Sequence, residues 1–255
     1  MRALLSALSF LTRIPLPGFL HTRIEGDRAA DAFSRSVYWF PAVGLILGLL
    51  LAGADILLGR IFPAQLAAGL LLVFYVFLTG GLHLDGLLDS ADGLFSGRDS
   101  DRIPEIMRDS SAGAFAVLTA VLYLLLKFLC FWLLTPAWRP GAFILMAVFS
   151  RLINSLGLLY FPILSRSLAG VFADDITFRR SAILIFPPLL SVIFLLYFNM
   201  FPIYVILIAG ALMSAFTLVV ARIVENMLGG LTGDIFGMFH ELNELIFLLV
   251  IIALQ

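Results

Sequence analysis

G-G-L-H-L-D-G-L-L-D-S-A-D-G, residues 80–93, sets three carboxylates at the end of an otherwise apolar stretch. In helical geometry Asp85, Asp89 and Asp92 stand at i, i+4 and i+7, within about 60° of one another on one face. Gly86 and Gly93 keep that face low. Mutually repelling carboxylates at a membrane boundary are costly unless a positive charge compensates them, and hard oxygen ligands suit Mg²⁺ presented together with substrate phosphates. The plain alternative is a solvated acidic helix end.

On both sides of this stretch the chain is apolar. Of 255 residues, 62% are hydrophobic and 13% charged, and the mean hydropathy of +1.08 excludes an ordinary soluble core. Runs of about 20 apolar residues, enough to cross a bilayer, fall at residues 37–58, 63–82, 113–134, 141–161, 181–198 and 202–221. A seventh at 235–254 carries Glu241 and Glu244 in its first half. The expected fold is all-α, a polytopic integral membrane helix bundle of six to seven transmembrane helices, forming a single domain over residues 1–255. Residues 1–36 begin with an apolar stretch too short to span. Arginines and acids then mix, so this segment reads as interfacial, with a pocket-lining role left open. Cys130 lies inside a span and reads as packing.

Counting spans places residues 1–36, 83–112, 162–180 and 222–234 on one side, with the links near Arg60, Arg139 and Asn199 on the other. The first side holds 12 of the 16 Lys and Arg residues. That asymmetry predicts a cytoplasmic first side, so the acidic segments 83–112 and 222–243 share the cytoplasmic face; the expected location is the inner membrane. No dense basic block suggests nucleic acid, and the oligomeric state stays open, a homo-oligomer included.

Two further polar groups accompany the first. E-I-M-R-D at residues 105–109 places Glu105 and Asp109 at i, i+4 beside Arg102 and Arg108, so the segment offers carboxylates to a metal and guanidinium groups to phosphate oxygens. L-G-G-L-T-G-D at residues 228–234 joins Thr232 and Gly233 to Asp234. Its glycines permit close approach to an anion, and Glu241 aligns with Asp234 at i, i+7. Within spans, Lys127 can snorkel, whereas Arg151 near mid-span reads as a candidate for a substrate cavity. Asp55 reads as interfacial. His83 is a candidate proton acceptor or ligand-orienting group, though two residues from Asp85 it turns to another face of the helix.

These blocks resemble the cobalamin synthase family, the adenosylcobinamide-GDP ribazoletransferases. L-S-F-L-T-R-I-P-L-P at residues 8–17, the G-G-L-H-L-D-G run, E-I-M-R-D-S at 105–110 and T-G-D with its downstream acids at 232–244 follow the family's order over nearly the whole chain. Leu88 and Ser90 stand where the family usually has Ala and Thr, and His240 occupies a normally apolar position. The resemblance implies condensation of adenosylcobinamide-GDP with α-ribazole or its 5′-phosphate, giving adenosylcobalamin or its 5′-phosphate and GMP, with Mg²⁺ as cofactor. For that reaction Asp85, Asp89, Asp92 and Asp234 are the expected catalytic and metal residues, with Asp234 either a ligand or a general base. His83, Arg102, Arg108, Asp109, Arg151, Thr232, Gly233 and Glu241 are expected at the substrates, in a wide cavity open to the cytoplasm.

Two other classes share single features. A CDP-alcohol phosphotransferase also carries an acidic motif at the membrane edge, but its pattern wants A-R where Leu88 and Asp89 stand. A transporter would use Arg151, Lys127 and Asp55 as a midplane site.

Overall fold

The structure is a computed structural model that describes residues 2–16, 29–164, 178–197 and 201–255. Two short helices, α1 (Arg2–Leu11) and α2 (Ala29–Ser34), and a 3-10 turn (Arg35–Trp39) precede a bundle. The bundle comprises α3 (Phe40–Gly59), α4 (Ala64–Thr79), α5 (Leu82–Phe95), the single turn α6 (Ile103–Ile106), α7 (Ala114–Leu133), α8 (Arg139–Tyr160), α9 (Phe178–Tyr197), α10 (Ile203–Leu228) and α11 (Gly233–Leu254). Each of the seven apolar runs is thus a helix. Five helical segments, containing α3, α7, α8, α10 and α11, are long and apolar enough to cross a membrane unaided, six if α4 with α5 counts as one broken span. The apolar helix from Ser181 to Tyr197 is shorter and carries Pro187 and Pro188. Among the described residues there is no strand, only an isolated bridge between Ile163 and Leu231.

Burial sorts the helices. α8 and α11 are largely enclosed, whereas α7 and α10 turn residues such as Leu118, Leu122, Leu212 and Val219 outward, as a lipid-facing surface requires. The closest pair is α3 with α8: a Cβ added at Gly44 would stand 2.3 Å from the Ala147 carbonyl oxygen, and one at Gly48 2.6 Å from the Ile144 Cα. Small residues let these two backbones touch, the packing available where lipid removes the hydrophobic drive between helices.

Two features position the acidic face. Gly80 and Gly81 both adopt left-handed backbone, φ 66° and 68°, a conformation that side chains resist. They end α4 and turn α5 through 90°. The polar helix α5 therefore leaves the line of the span and packs on α11, where an added Cβ at Gly86 would meet the Asp234 carbonyl oxygen at 3.0 Å and one at Gly237 the His83 carbonyl oxygen at 3.0 Å. α1 is docked as well: Leu5, Ala7 and Leu11 are buried, and the Arg13 N–H donates to the Leu78 carbonyl at 2.8 Å.

Candidate active site

The close α5–α11 contact brings carboxylates from distant parts of the chain together. Asp85 is exposed, and Asp89 and Asp234 are half-buried beside it. Burial, then the charges of Asp85, Asp234 and Asp92, push the Asp89 carboxyl up to about 6. Among the described residues none of Asp85, Asp89 and Asp234 has a Lys or Arg within ion-pair distance. These carboxylates are oxygen donors of the kind a hard divalent cation takes, and Asp234 also feels the Thr232 hydroxyl and the charge of Arg108; among the described residues the ligand atoms that converge within 4.8 Å are those of His83, His240 and Glu241.

Asp92 has backbone partners of its own. It lies on the same helix, but its two carboxylate oxygens accept the backbone N–H groups of Gly113 and Ala116. These groups belong to the open N-terminus of α7, so Asp92 caps that helix from 21 residues away in sequence. Gly113 leaves room for the cap, since an added Cβ would stand 2.6 Å from the carboxylate. Asp85, Asp89 and Asp234 remain as the open donor set.

The second segment lies on the surface. Arg102 pairs with Glu105 at 3.1 Å with both side chains exposed, and Arg108 is exposed on the same short stretch. Asp109 accepts the Ser111 hydroxyl at 2.6 Å and its N–H at 2.9 Å, bonds that hold its carboxyl below the usual range. Thr232 caps α11, accepting the Ile235 N–H at 3.3 Å, and leaves Gly233 exposed at the rim.

Arg151 and Glu241, expected at substrate, are instead joined in a buried charge network. Lys127 on α7 donates to Glu241 at 2.8 Å and to Glu244 at 2.7 Å, both on α11. Arg151 on α8 reaches Glu244 at 3.5 Å and the Ala147 carbonyl at 3.0 Å. The hydroxyls of Tyr75 and Tyr123 donate to Glu244 and Glu241. Two cations thus meet two carboxylates, which makes burial of all four tolerable and explains why Lys127 need not snorkel. Asp55 pairs with Arg139 at 3.5 Å.

His83 lies between the two regions. Its ring stands 3.8 Å from that of His240, whose Nε2 lies 3.1 Å from Glu244. His83, His240 and Glu241 bring ligand atoms within 4.8 Å of one another. Lys127 already neutralises Glu241, however, and a divalent ion would add two charges to a balanced buried set. His83 also lines a cavity of about 150 Å³ beside Asp85 and Asp234. Sequence reading singled out none of Phe10, Phe40, Asn154, Leu158 and Phe236 in its wall. A signal existed for Asn154: it follows Arg151 by three positions, a second polar residue on one face of an apolar helix.

Residues 3–252 match the family described as Cobalamin-5-phosphate synthase. The chain is 41% identical over 254 residues to the adenosylcobinamide-GDP ribazoletransferase of Desulfitobacterium hafniense, covering 98% of this chain and 96% of the relative. It is 35% identical to the enzyme of that name from Clostridium acetobutylicum, over 99% and 96% of the two chains. The Chlorobaculum tepidum enzyme of the same name is also 35% identical, over 96% and 92%. No solved structure matches the chain. A match over nearly its whole length, with the acidic blocks inside it, makes this chain a member of the cobalamin-5-phosphate synthase family.

Proposed function

We propose that this chain joins adenosylcobinamide-GDP to α-ribazole or its 5′-phosphate, releasing GMP, with Mg²⁺ held by Asp85, Asp89 and Asp234. The observation that carries the reading is the close crossing of α5 and α11, which sets Asp85 and Asp89 beside Asp234 with no Lys or Arg ion pair among the described residues and with the charge of Arg108 nearby. When bound, Mg²⁺ supplies neutralisation of the diphosphate charge. The residues bind and orient. Arg108 and Arg102, on the exposed segment beside the face, grip phosphate oxygens. The ribazole hydroxyl forms the new O–P bond at the cobinamide-linked phosphorus, the P–O bond to GMP breaks, and the hydroxyl proton passes to a carboxylate of the rim. The corrinoid is far larger than the cavity and stays outside it, on the open face.

The charge asymmetry supports an inner-membrane protein whose acidic face meets the cytoplasm. The test is GMP release by the purified protein in detergent. Release requiring both adenosylcobinamide-GDP and α-ribazole, abolished by EDTA and restored by Mg²⁺, is the expected result. Release that ignores α-ribazole marks a hydrolase, and no release with both substrates and Mg²⁺ removes the assignment.

A further inference from the structure

The single turn α6 belongs to an exposed stretch, yet the residue that opens it and the one that closes it are buried. Ile103 is 3% and Met107 2% exposed, while Arg102, Glu105, Arg108 and Asp109 beside them face outward. At i and i+4 the two buried side chains share one face of the turn. That face meets α5 at Gly93, where an added Cβ would stand 2.7 Å from the Met107 Cγ, 2.9 Å from its Cε and 3.2 Å from the Ile103 Cγ2. α6 thus docks in a notch that a side chain at position 93 would fill.

Met107 also reaches the other helix of the site. The Thr232 hydroxyl lies 3.8 Å from its sulfur, and the same oxygen caps α11 through the Ile235 N–H. A thioether is a weak acceptor, so what this contact sets is position. Met107 is wedged between α5, one residue beyond Asp92, and the cap that stands two residues before Asp234. The next residue is Arg108. Arg102 is paired with Glu105, whereas Arg108 has no ion pair among the described residues, and its charge is felt at Asp234. A guanidinium on a loose surface turn loses much freedom when it grips an anion; one whose neighbour is locked into the core loses less.

Building on the function proposed above, we infer that Met107 is a positioning residue for the diphosphate substrate: wedged between Gly93 and Thr232, it fixes Arg108 beside the carboxylate face, where the guanidinium meets phosphate oxygens. Met107 acts through Arg108 and touches no substrate itself. The competing reading is that Met107 only packs, in which case its loss is indifferent to Arg108.

The test is a double-mutant cycle. Purified protein in detergent with Mg²⁺ is titrated with GDP, read by equilibrium dialysis, and turnover is followed as GMP release. The native chain is compared with Met107→Ala, Arg108→Ala, the two combined, and Met107→Leu, which nearly conserves volume. Gly93→Ala is added because it favours the α5 helix and yet presses on Met107, so its effect is not one of lost stability. Met107→Ala and Gly93→Ala should each weaken GDP binding and raise the KM for adenosylcobinamide-GDP about tenfold, the order of one charge-assisted hydrogen bond. The KM for α-ribazole stays unchanged, Met107→Leu follows the native chain, and Met107→Ala adds no further loss once Arg108 is alanine. Losses that multiply in the double variant, an equal rise in both KM values, or no saturable GDP binding by the native chain overturns the assignment. Variant-sensitive GDP binding without any GMP release keeps the positioning role and removes the transferase reading. GMP release with GDP affinity and both KM values untouched by the variants does the reverse.

Discussion

Asp89 and Asp92 stand three positions apart on one helix and serve different ends. Asp89 is pressed by its neighbours' charge, so Asn in its place keeps the shape and removes the repulsion along with the ligand. Asp89→Asn should lose GMP release by at least a hundredfold, an order set by loss of charge stabilisation at a phosphoryl centre, while the detergent-solubilised protein melts no lower than the parent. Alanine at Asp89 and at Asp234 should be strongly non-additive, because either alone disables the same step. Multiplicative losses in the double variant would separate their roles. Asp92 behaves as a cap: Asp92→Ala should cost about 0.5–2 kcal/mol of stability. Asp92→Asn, which keeps the reach and one accepting oxygen, should recover part of it together with activity. If Asn restores stability but leaves activity as low as Ala does, Asp92 acts at the reaction after all.

At the scale of elements, the bend between α4 and α5 rests on conformation rather than on space at Gly81, where an added Cβ meets nothing within 4 Å. Gly81→Ala should therefore destabilise by roughly 1–2 kcal/mol through backbone strain alone and lower activity by displacing Asp85 and Asp89 from Asp234. A thermal melt and a GMP-release assay read both, and an unchanged pair of values would mean the bend does not set the site. The charge network gives a second prediction. Lys127→Met leaves Glu241 without its cation and Glu244 with Arg151 alone, and should cost about 3–5 kcal/mol, whereas Lys127→Met with Glu241→Gln should recover a measurable part of the loss in melting temperature. The seven helices were legible from hydropathy because a bilayer demands runs of fixed length and character. The acidic face of α5 was legible for a related reason, since three carboxylates at helical spacing are conspicuous in an apolar chain. Partners across the chain were not: Lys127 and Glu244 are 117 positions apart, and the cap at Asp92 depends on where α7 begins. Periodicity reports which face a residue occupies, never what stands opposite it.

For the whole molecule, the shared face of the two acidic segments follows from helix parity and charge. The expected loops at residues 162–180 and around Asn199 lie largely outside the described residues, so the labelling test uses other positions. In a Cys130→Ala background, a cysteine at Ser100 should be shielded from impermeant maleimide in intact cells, and one at Pro136, between α7 and α8, should react. The opposite pattern would invert the protein in its membrane.

Order of synthesis gives the buried charge network a further meaning. Lys127 and Arg151 leave the ribosome before Glu244, by 117 and 93 residues. At ordinary translation speeds that interval is on the order of 5–25 s. Throughout it α7 and α8 carry cations whose counter-charges do not yet exist, so neither helix can settle at its final depth with its charge resolved. The bundle closes only when α11 arrives with both carboxylates. A nascent chain interrupted within α10 thus presents two helices with unanswered positive charge.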